Sequence, residues 1–153
     1  MDQVMKPTQA VKDRFHRKQS TLAVLVDFKA AYDKVWRHML LHKLKKHGVA
    51  GKLLNRVQSF LSQRIIRGRS LNATSPWKQL RQGLPQGAFL SCLLFSIMID
   101  NLETAIQKVP EVSCLFFADD VVIWATGSNI RSLKDALNSS LLNLATWANT
   151  NKI

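Results

Sequence analysis

At 153 residues the chain is one domain or a piece of one, and 46% hydrophobic residues exclude a disordered polyelectrolyte. Lys and Arg number 22 against 10 Asp and Glu, for a net charge of +12. Twelve of those 22 cations lie between Asp33 and Asp100, an interval with no acid at all, and this predicts a polyanion-binding surface. Cations spread over several elements favour nucleic acid over a membrane. Cys92 and Cys114 both sit in apolar runs and read as buried free thiols of a reducing compartment. The four histidines lack metal-ligand spacing with them and read as surface or nucleic-acid-facing. The longest apolar run, 88-AFLSCLLFSIMI-99, is too short for a bilayer span, and no signal peptide is seen. The expectation is an intracellular protein, nuclear or cytoplasmic, with no membrane partner.

In chain order, 21-TLAVLVDF-28 reads as a strand ending in an acid. Helical sequence follows over 29–48, its last turns basic and Gly48 its stop. A second helix is predicted over 51–64, with Leu53, Leu54, Val57, Phe60 and Leu61 as its apolar stripe. Residues 65–83 read as two short basic strands around an Asn/Ser/Pro turn. The loop 83-GLPQG-87 then opens an apolar helix reaching about Gln107. A hairpin is predicted from 112-VSCLFF-117 and 121-VVIWA-125, and a last helix runs from Ile130 to about Thr150. The order β-α-α-β-β-α-β-β-α predicts an α+β domain, an antiparallel sheet with helices packed on one face. The tryptophans, Trp36, Trp77, Trp124 and Trp147, read as core or sheet packing rather than base-stacking platforms.

Two adjacent acids, Asp119 and Asp120, interrupt that last hairpin. Ala-Asp-Asp alone is ordinary turn chemistry. Here, however, neighbouring strand side chains point to opposite faces, so both carboxylates can serve one object only at a tight turn. No cation lies next to them in sequence, and a divalent ion such as Mg2+, which takes a few carboxylates plus substrate phosphates, would offset their repulsion. Asp27, ending the other apolar strand, supplies a third acid. Asp33 falls a turn into the helix and reads as structural, a cap or a partner of Arg37.

The segments 24-VLVDFKAAYDKVWR-37, 81-RQGLPQGAFLSCLLF-95 and 116-FFADDVVIWA-125, in this order and spacing, strongly resemble the reverse transcriptase of non-LTR retrotransposons of the jockey-like insect and arthropod kind. The resemblance runs from about residue 10 to the end. It implies a polymerase palm, so that the whole chain, 1–153, is a partial reverse transcriptase domain with its palm core at about 20–150. By that resemblance Asp27, Asp119 and Asp120 are the catalytic metal-binding aspartates, with Phe117 in place of the usual tyrosine before the pair. The backbone carbonyl of Phe28 is implied as a further metal ligand. Tyr32 matches the aromatic gate under the sugar of the incoming nucleotide. Gln86 resembles the glutamine that contacts that nucleotide, Gly83 and Gly87 would let backbone approach nucleotide and template, and Arg81 and Gln82 would face either. The implied chemistry is two-metal transfer from a dNTP to a primer 3′-hydroxyl, with two Mg2+ ions, Mn2+ as substitute, an RNA template and a DNA primer. The basic middle third would grip the template–primer backbone.

Two features depart from the family pattern: Cys92 follows Ser91 where proline is usual, and Phe89 replaces a smaller residue. The family's upstream template- and triphosphate-binding segments, its final palm strand, primer-holding hairpin, thumb and endonuclease are expected to lie outside this sequence. The remainder of a polyprotein is therefore an expected partner, and the isolated fragment is not expected to extend a primer processively. The competing reading is a non-catalytic remnant of a decayed element that only binds RNA or DNA.

Overall fold

A computed structural model describes residues 19–62 and 64–153. The architecture is α+β with antiparallel sheets. The described residues form two compact units: one holds those up to Lys29 together with Asp100–Thr150, the other those of Ala30–Ile99 with Asn151–Ile153. The expected domain extent of 1–153 includes residues 1–18, which lie outside the described residues, as does Gln63 of the second predicted helix.

In the first unit, β1 (Ser20–Asp27), β6 (Val112–Phe117) and β7 (Asp120–Gly127) make a three-stranded sheet of order β1-β7-β6. Alternation assigns its faces. Val121, Ile123 and Ala125 are buried on one face, whereas Leu25 and Phe117 are 80% and 69% exposed on the other. The helices α5 (Leu102–Ile106) and α6 (Ile130–Asn151) bring Leu102, Ile106, Leu133, Leu137, Leu144 and Trp147 into the core. Buried Ser140 donates to the Ile106 carbonyl at 3.1 Å, and Trp147 Nε1 donates to Asn101 Oδ1 at 2.9 Å, so polar groups within this core are satisfied.

The second unit begins with α1 (Ala31–Lys34) and α2 (Arg37–Lys46), which the periodicity predicts as one helix. The break at Val35–Trp36 has a tertiary cause. Gly83 N donates to the Val35 carbonyl at 2.9 Å and Leu84 N to the Tyr32 carbonyl at 2.7 Å, so the loop takes carbonyls that a continuous helix would use. Gly48, at φ +81°, ends α2 as expected, its N–H returning to Lys45. Next comes α3 (Gly51–Leu61), which buries Val57 and Leu61 but leaves Leu53 59% exposed.

The predicted basic hairpin is interrupted: β2 (Ile65–Ile66) pairs with β5 (Lys78–Gln79), and β3 (Arg69–Ser70) with β4 (Ala73–Thr74). Between the ladders the Ser75 hydroxyl accepts from Gly68 N at 2.8 Å, and Pro76 has no N–H to give. Trp77 is here 60% exposed rather than core, with the Arg67 guanidinium 4.6 Å above its ring. Finally, α4 (Phe89–Ile99) buries Ser91, Leu94, Phe95, Met98 and Ile99. That register turns Cys92 outward, contrary to the expectation of a buried thiol, while Cys114 is half-buried. The apolar stretch Phe89–Ile106 is long and apolar enough to cross a bilayer, but turn residues at Asp100 and Asn101 divide it into α4 and α5.

Candidate active site

The first unit gathers the three aspartates at one end of the sheet. Asp27 lies directly opposite Asp120 in the β1–β7 register, and Phe117 opposite Asp120 in the β6–β7 register. Directly opposed residues of an antiparallel pair share a face, with Cβ atoms about 4.5–5.5 Å apart. Asp27 and Asp120 therefore stand side by side, both exposed. Between Phe117 and Asp120 the chain reverses in a two-residue loop, Ala118-Asp119. Ala118 takes φ +53°, the sign that the first position of a type II′ hairpin needs and that an L-residue adopts at a cost of about 1 kcal/mol. Half-buried Asp119 sits at the second loop position.

Like charges set opposite each other destabilise a ladder unless a cation stands between them. Among the described residues no three His, Cys, Asp or Glu side chains come together closely enough to hold a metal ion, so the three aspartates share an end of the sheet without forming a ligand cluster. Mg2+ takes only a few protein carboxylates and completes its octahedron with water and phosphate oxygens, so the Asp27–Asp120 pair fits its donor chemistry. Phe28 anchors the end of β1: its ring is buried and lies 6.3 Å from that of Trp147, tilted by 56°.

The second unit holds the other residues singled out in the sequence. Tyr32, in α1, stacks on Phe95 at 4.6 Å and 16°. Gln86 is exposed, and its Nε2 donates to Asp33 Oδ1 at 3.1 Å. Asp33 thus takes Gln86 rather than the expected Arg37. Arg37 instead clamps the loop, donating through Nε to the Gly83 carbonyl and through Nη1 to the Leu80 carbonyl, each at 2.8 Å. Burial, and secondarily the charge of Arg64, holds the Arg37 guanidinium below its usual proton affinity.

Gly83 has a packing role in the fold. At φ +83° a Cβ there would stand 2.7 Å from the Asp33 carbonyl oxygen, so its smallness serves packing against α1. Gly87, at φ +79°, has open space around it, and Arg81 and Gln82 are exposed. A cavity of about 510 Å³ opens here, with Arg37, Arg64, Gln82 and Gln86 as polar walls and Ile65, Leu80 and Pro85 among the apolar ones. Arg37 and Arg64 were not candidate site residues in the sequence. The basic interval was a general signal, but nothing local marked these two cations as neighbours.

Strands that deliver paired carboxylates at a tight turn, in a chain whose other unit is rich in cations, suit a divalent ion and a polyanion. The chain matches the family described as Reverse transcriptase (RNA-dependent DNA polymerase) over residues 2–153, and it belongs to that family. It is 28% identical to the probable RNA-directed DNA polymerase from transposon BS of Drosophila melanogaster, over 96% of this chain and 17% of that protein. Its identity to the RNA-directed DNA polymerases from the mobile element jockey of Drosophila melanogaster and Drosophila funebris is 25%, over 96% of this chain and 16% of each. The chain therefore spans about one-sixth of the length of these curated relatives.

Proposed function

We propose that this chain is the palm-like portion of an RNA-directed DNA polymerase of a non-LTR retrotransposon. The Asp27–Asp120 pairing carries the reading: two carboxylates held on one face by an eight-residue ladder, with Asp119 in the adjoining turn. Asp27, Asp119 and Asp120, with the Phe28 backbone carbonyl, would hold two Mg2+ ions, for which Mn2+ can substitute. When bound, such ions lower the proton affinity of a primer 3′-hydroxyl and stabilise charge on the leaving pyrophosphate. The chain's own residues bind and orient. Tyr32, braced by Phe95, would set the floor under the sugar of the dNTP. Gln86, steadied by Asp33, would contact the nucleotide, with Arg81, Gln82 and Gly87 beside it. Template RNA and primer DNA are the expected macromolecular partners, together with the rest of a longer polyprotein.

Titration of the 153-residue chain with Mn2+, followed by electron paramagnetic resonance, tests the ligand set. Binding is expected, with at least a tenfold weaker affinity in Asp27→Asn and Asp120→Asn, because each removes half of the opposed pair. Unchanged binding in both variants would refute the assignment. Nucleic-acid affinity with no specific Mn2+ site would instead support the non-catalytic remnant.

A further inference from the structure

The pair α2–α3 carries a feature that the catalytic reading does not use. Its solvent face presents His38, His42, Lys45 and Lys46 from α2, all exposed. No acid occurs anywhere in these two helices, so within them nothing offsets that charge. Between them lies a groove of about 240 Å³. Leu41 and Leu54 give it an apolar floor, His38, His42 and Lys45 line it from α2, and Gln58 supplies an amide from α3. The His38 ring is braced on Trp36, 5.6 Å away and tilted by 31°. This face is a quarter-turn round α2 from Arg37, which clamps the 80–83 loop.

Apolar floor, imidazole walls, an amide and flanking cations are together what an unstacked base with its neighbouring phosphates requires. A duplex offers phosphates but no free base face. We infer that the α2–α3 groove is a second nucleic-acid site, one that takes a single strand by seating a base between His38, His42 and Gln58 while Lys45 and Lys46 hold the backbone. The inference rests on this helix pair alone and survives if the metal assignment fails.

Fluorescence anisotropy of the full chain with a labelled oligouridylate, an oligothymidylate and a duplex of equal length, over a range of salt, tests it. Lys45→Gln/Lys46→Gln is expected to flatten the slope of log affinity against log salt by about 1.4, two phosphates at about 0.7 each. His38→Ala/His42→Ala should weaken single-strand binding about tenfold, the effect of one lost stacked base, and leave duplex binding unaltered. Tighter binding of the RNA strand would assign the site to RNA, and equal binding to a single strand of either sugar. The charge control Arg131→Gln/Lys134→Gln, on exposed positions of α6, should leave the slope unchanged. Equal flattening by that control, equal loss of duplex binding in the histidine variant, or no effect of the lysine variant with unaltered circular dichroism would each overturn the site.

Discussion

At the scale of single residues, Gly83 and Gly87 share a backbone conformation but not surroundings. Alanine at 83 meets the Asp33 backbone at 2.7 Å and also carries the left-handed strain, whereas alanine at 87 carries the strain alone. Gly83→Ala is therefore expected to destabilise the fold by about 3 kcal/mol and Gly87→Ala by about 1 kcal/mol, as read from urea unfolding midpoints. The two thiols differ similarly. Burial, then the charge of Glu103, pushes the Cys114 thiol up to about 11, against a weak contact from Gln107 at 4.0 Å. Cys92 is exposed. At pH 8, mass spectrometry after iodoacetamide should find Cys92 alkylated well before Cys114, the reactive form being the thiolate. Because folding raises the Cys114 proton affinity, its contribution to stability is present below about pH 9 and lost as the pH rises through about 11.

Among the elements, α6 was legible from end to end because its determinants are local. Leu133, Leu137, Leu144 and Trp147 recur at helical spacing and are all buried. Its start is fixed by Asn129, whose Oδ1 accepts from Arg131 N at 3.0 Å and Ser132 N at 3.4 Å. Asn129→Ala should cost about 1 kcal/mol by thermal unfolding. Asn129→Asp and Asn129→Ser each keep a capping oxygen and should retain most of that stability in the same measurement. The division between α1 and α2 was not legible. The residues from Val35 to Lys46 suit a helix, and the groups that open it, Gly83 N and Leu84 N, lie far along the chain. The hairpin of residues 65–80 was half legible: its turn residues were readable, but the side-chain bond of Ser75 that interrupts the ladder was not.

For the whole molecule, the fold class followed from the order of apolar periods, and the aspartates stood out because acids are scarce in so basic a chain. Two apolar strands each ending in acid grouped Asp27 with them, but composition cannot say that Asp27 faces Asp120, since register is set by two strands and a turn together. The wall of arginines at the cavity was hidden for a related reason. Arg37 and Arg64 are ordinary members of a basic interval until the 80–83 loop is bonded back onto α2. Charge was thus readable as a total and in its one-signed interval, while its grouping into a cavity and a helix-pair groove belongs to the folded chain.

The ladder of β1 against β7 runs without a bulge from Ser20–Gly127 to Asp27–Asp120. Because side chains alternate, losing or gaining one amino acid inside β1 would invert every letter beyond it and carry the acid to the opposite surface. Exchanges among aliphatics would merely retouch the filling. Related genes would then drift freely in spelling along this segment while holding its count fixed, so that its length is inherited more strictly than its composition.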